Sequence, residues 1–416
     1  MAIAAMSRDV CEAAPEDVGM SSARLGRLTR VVQNAVDAKR IPGALTMVAR
    51  HGKVVHCETY GSMDEEAGKP MRVDTIFRFY SMTKPIASVG LMTLYEEGRF
   101  QLDDPASRFI PELKGLKVFA GGTADSFTTR ESRREMTVRD LLMHTSGLTS
   151  RAGAPGSTAS PVSELYTRAG LLGSSSDGTL KEFIAKLGEL PLAVDPGAQW
   201  IYGVSTDVVG YLCEVLSGQR LDHFLRERVL DRLGMADTAF EVPDAKLDRF
   251  AACYQGRVDG SYALVDAPAT SGYRKRTYLS AAGGLVSTAH DYMRFCKMLA
   301  NGGELEGERI LGPRTLRLMT LNHLPGGVDL ATMAKSGGET SRAGVGFGLG
   351  FAMLLDPTVA QVLGTVGEYY WGGAASTAFF VSPGEDLSAL FLTQVMNGNG
   401  LLRRELRVTT YQAIID

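Results

Sequence analysis

The chain has 416 residues, 44% of them hydrophobic, enough to bury a large core as one domain with an insertion or as two domains. Lysine and arginine total 44 against 47 aspartates and glutamates, and the resulting formal net charge of −3 argues against a nucleic-acid surface. No apolar run is long enough to span a bilayer, and residues 1–9 lack a basic start followed by an apolar block, so no membrane partner and a cytoplasmic location are expected.

Five scattered cysteines with no C-x-x-C argue against a disulfide framework or a zinc site. The six histidines show no H-E-x-x-H or other ligand spacing, so no metal site is expected.

In chain order, residues 22–39 read as an amphipathic helix with Leu25, Leu28, Val31, Val32 and Val36 on one side, capped by Ser21 or Ser22 and ended by Ile41-Pro42-Gly43. Residues 44–50 and 54–60 are β-rich runs joined by His51-Gly52-Lys53, a hairpin signal. Next comes Arg78-Phe79-Tyr80-Ser81-Met82-Thr83-Lys84-Pro85, which holds the only S-x-x-K of the chain. Residues three apart on a helix share a face, so a helix opening at Ser81 puts the Lys84 amine within reach of the Ser81 hydroxyl. A serine needs a neighbour to take its proton before it becomes a nucleophile. A helix N-terminus adds N–H groups and partial positive charge that favour a developing anion. Taken alone, the motif fits a serine N-cap with a solvated lysine better than a catalytic pair. Ile86, Val89, Leu91, Met92 and Leu94 cover a broad face, however, and predict a largely buried helix. Pro85 is tolerated only near a helix start, which fixes Ser81 at or just before the first turn.

Further along, residues 137–143 predict a short helix ended by His144-Thr145-Ser146-Gly147, and the Gly/Ser-rich residues 151–179 predict a loop over a pocket. Helices are expected over 205–216, 221–233 and 289–301, with another starting at Pro313. Residues 344–351 alternate glycine with larger residues and predict one close-packed strand. Strands 376–382 and 387–393 flank the turn Pro383-Gly384-Glu385-Asp386, and a helix over 403–415 follows. The pattern predicts an α+β fold in which an antiparallel sheet is built from both chain ends and flanked by helices. The expected division is 1–85 plus 285–416 as the sheet domain and 86–284 as a mainly helical second domain, with part of 200–284 assignable to either.

Two further segments can complete a site with Ser81 and Lys84. Gln199-Trp200-Ile201-Tyr202-Gly203-Val204-Ser205 presents a tyrosine just before a helix start, and Tyr369-Tyr370-Trp371-Gly372-Gly373-Ala374 has glycines that let backbone approach a ligand. With Leu102-Asp103-Asp104-Pro105, Leu233-Gly234-Met235 and Ala282-Gly283-Gly284-Leu285, this ordered series resembles the serine β-lactamase and penicillin-recognising superfamily. The resemblance is nearest to the family VIII carboxylesterases of class C β-lactamase fold and covers nearly the whole chain. It implies acylation of Ser81, with Lys84 and Tyr202 sharing the proton. It also implies an oxyanion hole from the backbone N–H groups of Ser81 and Ala374, and substrate contacts from Tyr80, Val204, Trp371, Gly372 and Gly373. No cofactor is implied.

Two departures shape the substrate expectation. Position 204 is valine where most penicillin-recognising enzymes carry asparagine, and Trp371 stands where a lysine would pair a lactam carboxylate. Losing one charge-assisted hydrogen bond costs roughly 1.5–3 kcal/mol. Small neutral esters are therefore expected over anionic β-lactams. The alternatives are a β-lactamase or D-amino-acid peptidase, an acyltransferase, and a non-catalytic binding protein. No G-x-S-x-G elbow occurs.

Overall fold

The computed structural model describes residues 10–154, 159–171, 177–334, 343–396 and 400–416. Its main sheet has eight antiparallel strands in the spatial order Val345–Phe347, Ala352–Leu354, Tyr369–Gly372, Ala378–Ser382, Leu387–Leu392, Gly43–Arg50, Lys53–Asp64 and Lys69–Pro70. Early and late parts of the sequence meet where Leu45 pairs with Leu392 and Arg50 with Leu387. The fold is the expected α+β arrangement. The first hairpin turns through His51 at φ 49° and Gly52 at φ 72°, the two left-handed residues that a tight hairpin needs to match strand twist.

Every residue of Gly43–Arg50 is buried, because helices cover both faces of the sheet. Successive side chains along a strand point to opposite faces. Leu45, Met47 and Ala49 accordingly join the larger core, with the nucleophile-bearing helix Thr83–Glu96 and the helices Ser205–Ser217 and Ala289–Ala300. Ala44 and Val48 join a second core under the helices Ser22–Asp37 and Gly400–Tyr411. The first of these helices buries Leu25, Leu28, Val32 and Ala35 at helical spacing, and its Ser21 side chain accepts from the Arg24 N–H. Helix Thr83–Glu96 is buried from Thr83 to Leu94. At Gly90 an added Cβ would lie 2.6 Å from Leu225, so glycine permits the close approach of the neighbouring helix.

Three sequence expectations change. The run 344–351 is a hairpin, not one strand: Val345–Phe347 turns back as Ala352–Leu354. Gly350 has φ 98°, and an added side chain there would run into Ser88. Residues 151–179 contain a helix, Pro161–Arg168, with Ser160 as N-cap and proline at its first position. Positions 155–158 and 172–176 of that stretch lie outside the described residues. The helix expected over 221–233 is α-helical only over Leu221–Leu225 and passes into a π-turn, Arg226–Leu230. Tyr369–Gly372 is an interior strand of the sheet. In the stretch 324–343, Leu330–Met333 is helical and 335–342 lies outside the described residues. Sequence reading also passed over the helix Leu180–Leu187 and the small sheet of Cys253–Gly256, Tyr262–Asp266 and Val395–Met396. No described helix is long and apolar enough to cross a membrane.

The strand leading into the nucleophile is anchored by Arg78, which is fully buried. Its Nε donates to Asp266 Oδ2 at 2.8 Å, its Nη1 to the Ala251 carbonyl at 2.5 Å, and its Nη2 to Ser271 Oγ at 3.2 Å. The guanidinium also lies 4.0 Å from the centre of the Phe250 ring. Removing one member of a buried ion pair strands the other, at a cost of about 3 kcal/mol or more. Arg78→Ala should therefore lower the unfolding free energy by about that amount, read as a lower urea midpoint. An unchanged midpoint would show that this clamp carries no stability.

Candidate active site

Ser81 sits where a strand gives way to a helix. Phe77–Arg78 pairs with Val286–Ser287, and the Phe79 N–H still donates to the Leu285 carbonyl at 3.0 Å. Tyr80 then adopts φ 42°, a left-handed conformation that costs a non-glycine residue about 1 kcal/mol or more. That reversal turns the chain into a single 3-10 turn, Tyr80–Met82, ahead of the α-helix Thr83–Glu96. The helix thus starts two residues later than the sequence suggests, with Pro85 in its first turn.

Lys84 is 4% exposed. Its Nζ donates to Ser81 Oγ at 3.2 Å and to the Ala282 carbonyl at 2.8 Å, and lies 4.6 Å from the centre of the Tyr202 ring. The Tyr202 hydroxyl donates to Ser81 Oγ at 2.7 Å. Lys84, one helical turn from the serine, and Tyr202, from a distant part of the sequence, therefore converge on one oxygen.

The Tyr202 segment is fixed by the turn after helix Val138–Met143. The His144 carbonyl accepts the Ile201 N–H at 2.8 Å, the Thr149 carbonyl accepts the Val204 N–H at 3.1 Å, and the Ser146 and Ser205 hydroxyls bond at 2.8 Å. An added Cβ at Gly203 would strike the Thr149 carbonyl, so a glycine is required there. The ring of Tyr202 is packed by His144, Trp200 and Trp371, with centroids 4.9, 5.9 and 5.5 Å away. Burial, and secondarily the charge of Lys84, holds the His144 imidazole well below its usual pKa and keeps it neutral.

Trp371 is buried, and Gly372 and Gly373 end its strand. A methyl group at Gly373 would collide with the Phe79 carbonyl and the Thr377 hydroxyl, so this glycine lets the strand end lie against the peptide just ahead of Ser81. Ala374, which follows, is partly exposed, and its N–H meets no backbone acceptor among the described residues. Val204 is 7% exposed and packs in the core beside Tyr202. The Tyr80 ring turns toward Tyr273, and its hydroxyl lies 4.0 Å from Cys253 Sγ. None of His144, His290 and His323 bonds to Ser81: His144 packs on Tyr202, His290 faces Asp291, and His323 bonds the Leu318 carbonyl.

Asp207 beside Lys84 was missed in the sequence. Asp207, 2% exposed in the first turn of helix Ser205–Ser217, accepts from Ser280 Oγ at 2.8 Å and from the Ala282 N–H at 3.0 Å. It thereby fixes the loop whose carbonyl receives the Lys84 ammonium. Burial raises its pKa, opposed by those two hydrogen bonds and by the charge of Lys84. An acid among Val208, Val209 and Leu212 was the available signal.

A sequence profile described as Beta-lactamase matches residues 28–413. The chain belongs to the Beta-lactamase family. Protein Rv1367c of Mycobacterium tuberculosis is 34% identical over 367 residues, covering 87% of this chain and 88% of that one. Esterase EstB of Burkholderia gladioli is 32% identical over 395 residues, covering 88% and 89%. Among solved structures, EstCE1, described as a hydrolase with promiscuous acyltransferase activity, superposes with a TM-score of 0.79 at 27% identity, over 94% of this chain and 99% of that one.

In this Beta-lactamase family chain, two supports of Ser81 can be tested without a substrate, through the rate of its labelling by a fluorophosphonate. Gly373→Ala should slow labelling about 100-fold by pushing the strand off Phe79. Asp207→Ala should slow it about tenfold, with Asp207→Asn intermediate because the amide oxygen still accepts. Intact-mass time courses report both. Parent-like rates in folded variants would show that neither support reaches Ser81.

Proposed function

We propose that this chain is a carboxylesterase that hydrolyses small neutral esters through an acyl-Ser81 intermediate. The observation that carries this reading is the single oxygen, Ser81 Oγ, within hydrogen-bonding distance of both Lys84 Nζ and Tyr202 Oη. A 2.7 Å separation between two hydroxyls allows a proton to cross in either direction. Ser81 Oγ attacks the ester carbonyl, and its proton passes to the Lys84–Tyr202 pair, one member of which has first given up a proton to solvent so that it can act as the base. The tetrahedral oxyanion rests on the N–H groups of Ser81 and Ala374. The carbon–oxygen bond to the alcohol breaks, and the alcohol leaves with the proton from Tyr202. Water then gives a proton to the same pair and attacks the acyl carbon. Ser81 Oγ departs, regains its proton, and the acid is released.

The neutral substrate class follows from Trp371 and Val204, which give a substrate carboxylate neither a cation nor an amide. The ester reading is also the one that EstB's name suggests. Acyl transfer to an alcohol is the second reading, favoured by the description of EstCE1. It uses the same acyl-Ser81, with an alcohol in place of the second-step water.

Ser81→Ala should cut turnover of p-nitrophenyl butyrate below about a thousandth of wild type while the fold persists by circular dichroism. A near-parental rate would overturn the assignment. Wild type should also prefer that ester over nitrocefin by about tenfold or more in kcat/KM. The reverse preference would favour a β-lactamase. Added short alcohols would raise ester product at the expense of acid if transfer competes with hydrolysis, and failure of fluorophosphonate labelling would favour a binding protein.

A further inference from the structure

Ala374 lies in a short loop, and the peptide that carries its N–H also carries the Gly373 carbonyl. That carbonyl has two donors. The Ser376 N–H reaches it at 3.0 Å, and Arg403 Nη2, from the helix Gly400–Tyr411, reaches it at 2.9 Å. The same Nη2 donates to the Thr377 carbonyl at 2.9 Å, which also accepts the Gly373 N–H at 2.9 Å. One guanidinium nitrogen therefore bridges both ends of the loop Gly373–Thr377. Room for it is made by Gly372, where an added Cβ would lie 2.6 Å from Arg403 Nη1 and 2.8 Å from Cζ. The two glycines thus serve different purposes: Gly373 admits the Phe79 peptide, and Gly372 admits Arg403.

We propose that Arg403 is a positioning residue that aims and polarises the Ala374 N–H for the oxyanion. This rests on the oxyanion role given to Ala374 above. A trans peptide is planar, and its C=O and N–H point in opposite directions. Fixing the Gly373 oxygen onto Arg403 therefore turns the Ala374 N–H away from Arg403. A cationic donor on the carbonyl also draws electron density through the amide and makes the N–H on its far side a stronger donor. Donors fixed before the reaction need not reorganise as charge develops, which is where such groups act. The second donor, the Ser376 N–H, is neutral, and the loop is also tied to Val395 through Ser376 Oγ at 2.8 Å and the Ala375 carbonyl at 3.1 Å, so what Arg403 adds is a charged donor on the Gly373 carbonyl itself.

The test compares an oxygen ester with its thionoester. Sulfur accepts hydrogen bonds poorly and sits farther from carbon, so a well-aimed oxyanion hole favours the oxygen ester beyond the ratio seen with hydroxide. Arg403→Met should lower kcat on the oxygen ester about 10- to 100-fold, with KM held within about threefold, and should compress the ester-to-thionoester ratio toward the hydroxide value. Arg403→Lys should recover part of both. Thermal melts run alongside. A merely structural arginine would lower activity on both substrates equally, so a fall in kcat with an unchanged ratio overturns the proposal, as does a kcat equal to wild type in folded Arg403→Met. If Arg403→Met does not fold, the ratio in Arg403→Lys decides in the same way. A wild-type enzyme with no preference beyond hydroxide would sink the oxyanion reading itself, and the role of Arg403 with it. Ser81→Ala tests the acyl-enzyme independently of both.

Discussion

The site depends on keeping an ammonium group out of water. An uncompensated buried charge costs several kcal/mol, so the protein around Lys84 must supply what the solvent would have given. It does so with the Ala282 carbonyl, the Ser81 hydroxyl and the face of the Tyr202 ring. Asp207 stands behind Ala282 with an opposite charge and holds that carbonyl in register. These are also the groups that surround the serine oxygen. What makes burial of the lysine tolerable is what makes the serine reactive, and the two cannot be separated in this fold.

The layout of the sheet serves the same end. Its interior strand Tyr369–Gly372 ends beside the strand-to-helix reversal at Tyr80, and the two helices carrying Lys84 and Asp207 pack on the same face. The opposite face bears Ser22–Asp37 and Gly400–Tyr411, and the second of these sends Arg403 to the end of the Trp371 strand. The site is thus held from both faces of the sheet.

Much of this was legible in the sequence, because some of its signals are local. Ser81 and Lys84 are three residues apart, the apolar spacing of 22–37 repeats at helical period, and His51-Gly52 marks its own turn. Tyr202 and Trp371 stood out through a tyrosine before a helix start and a glycine pair, and the ordered resemblance gave them their roles. Asp207 and Arg403 did not stand out at all, since their partners Ala282 and Gly373 lie far along the chain and only folding brings them together. The run 344–351 misled because glycine serves an extended strand and a tight turn alike. The helix Pro161–Arg168 hid in a stretch whose composition suggested a loop, although Ser160-Pro161 and the Glu164–Arg168 pair were there to be read.

The pairing of Gly43–Arg50 with Leu387–Leu392 has a further consequence for biosynthesis. The first hairpin leaves the ribosome long before the strand that will lie beside it exists. Until then one flank of Gly43–Arg50 is an open row of unsatisfied amides and carbonyls, on a strand whose side chains are meant for the interior. Such an edge invites pairing with a neighbouring nascent chain. The exposure of that flank to such pairing lasts until Leu387–Leu392 is made, and a chain stopped short of residue 387 keeps it open for good.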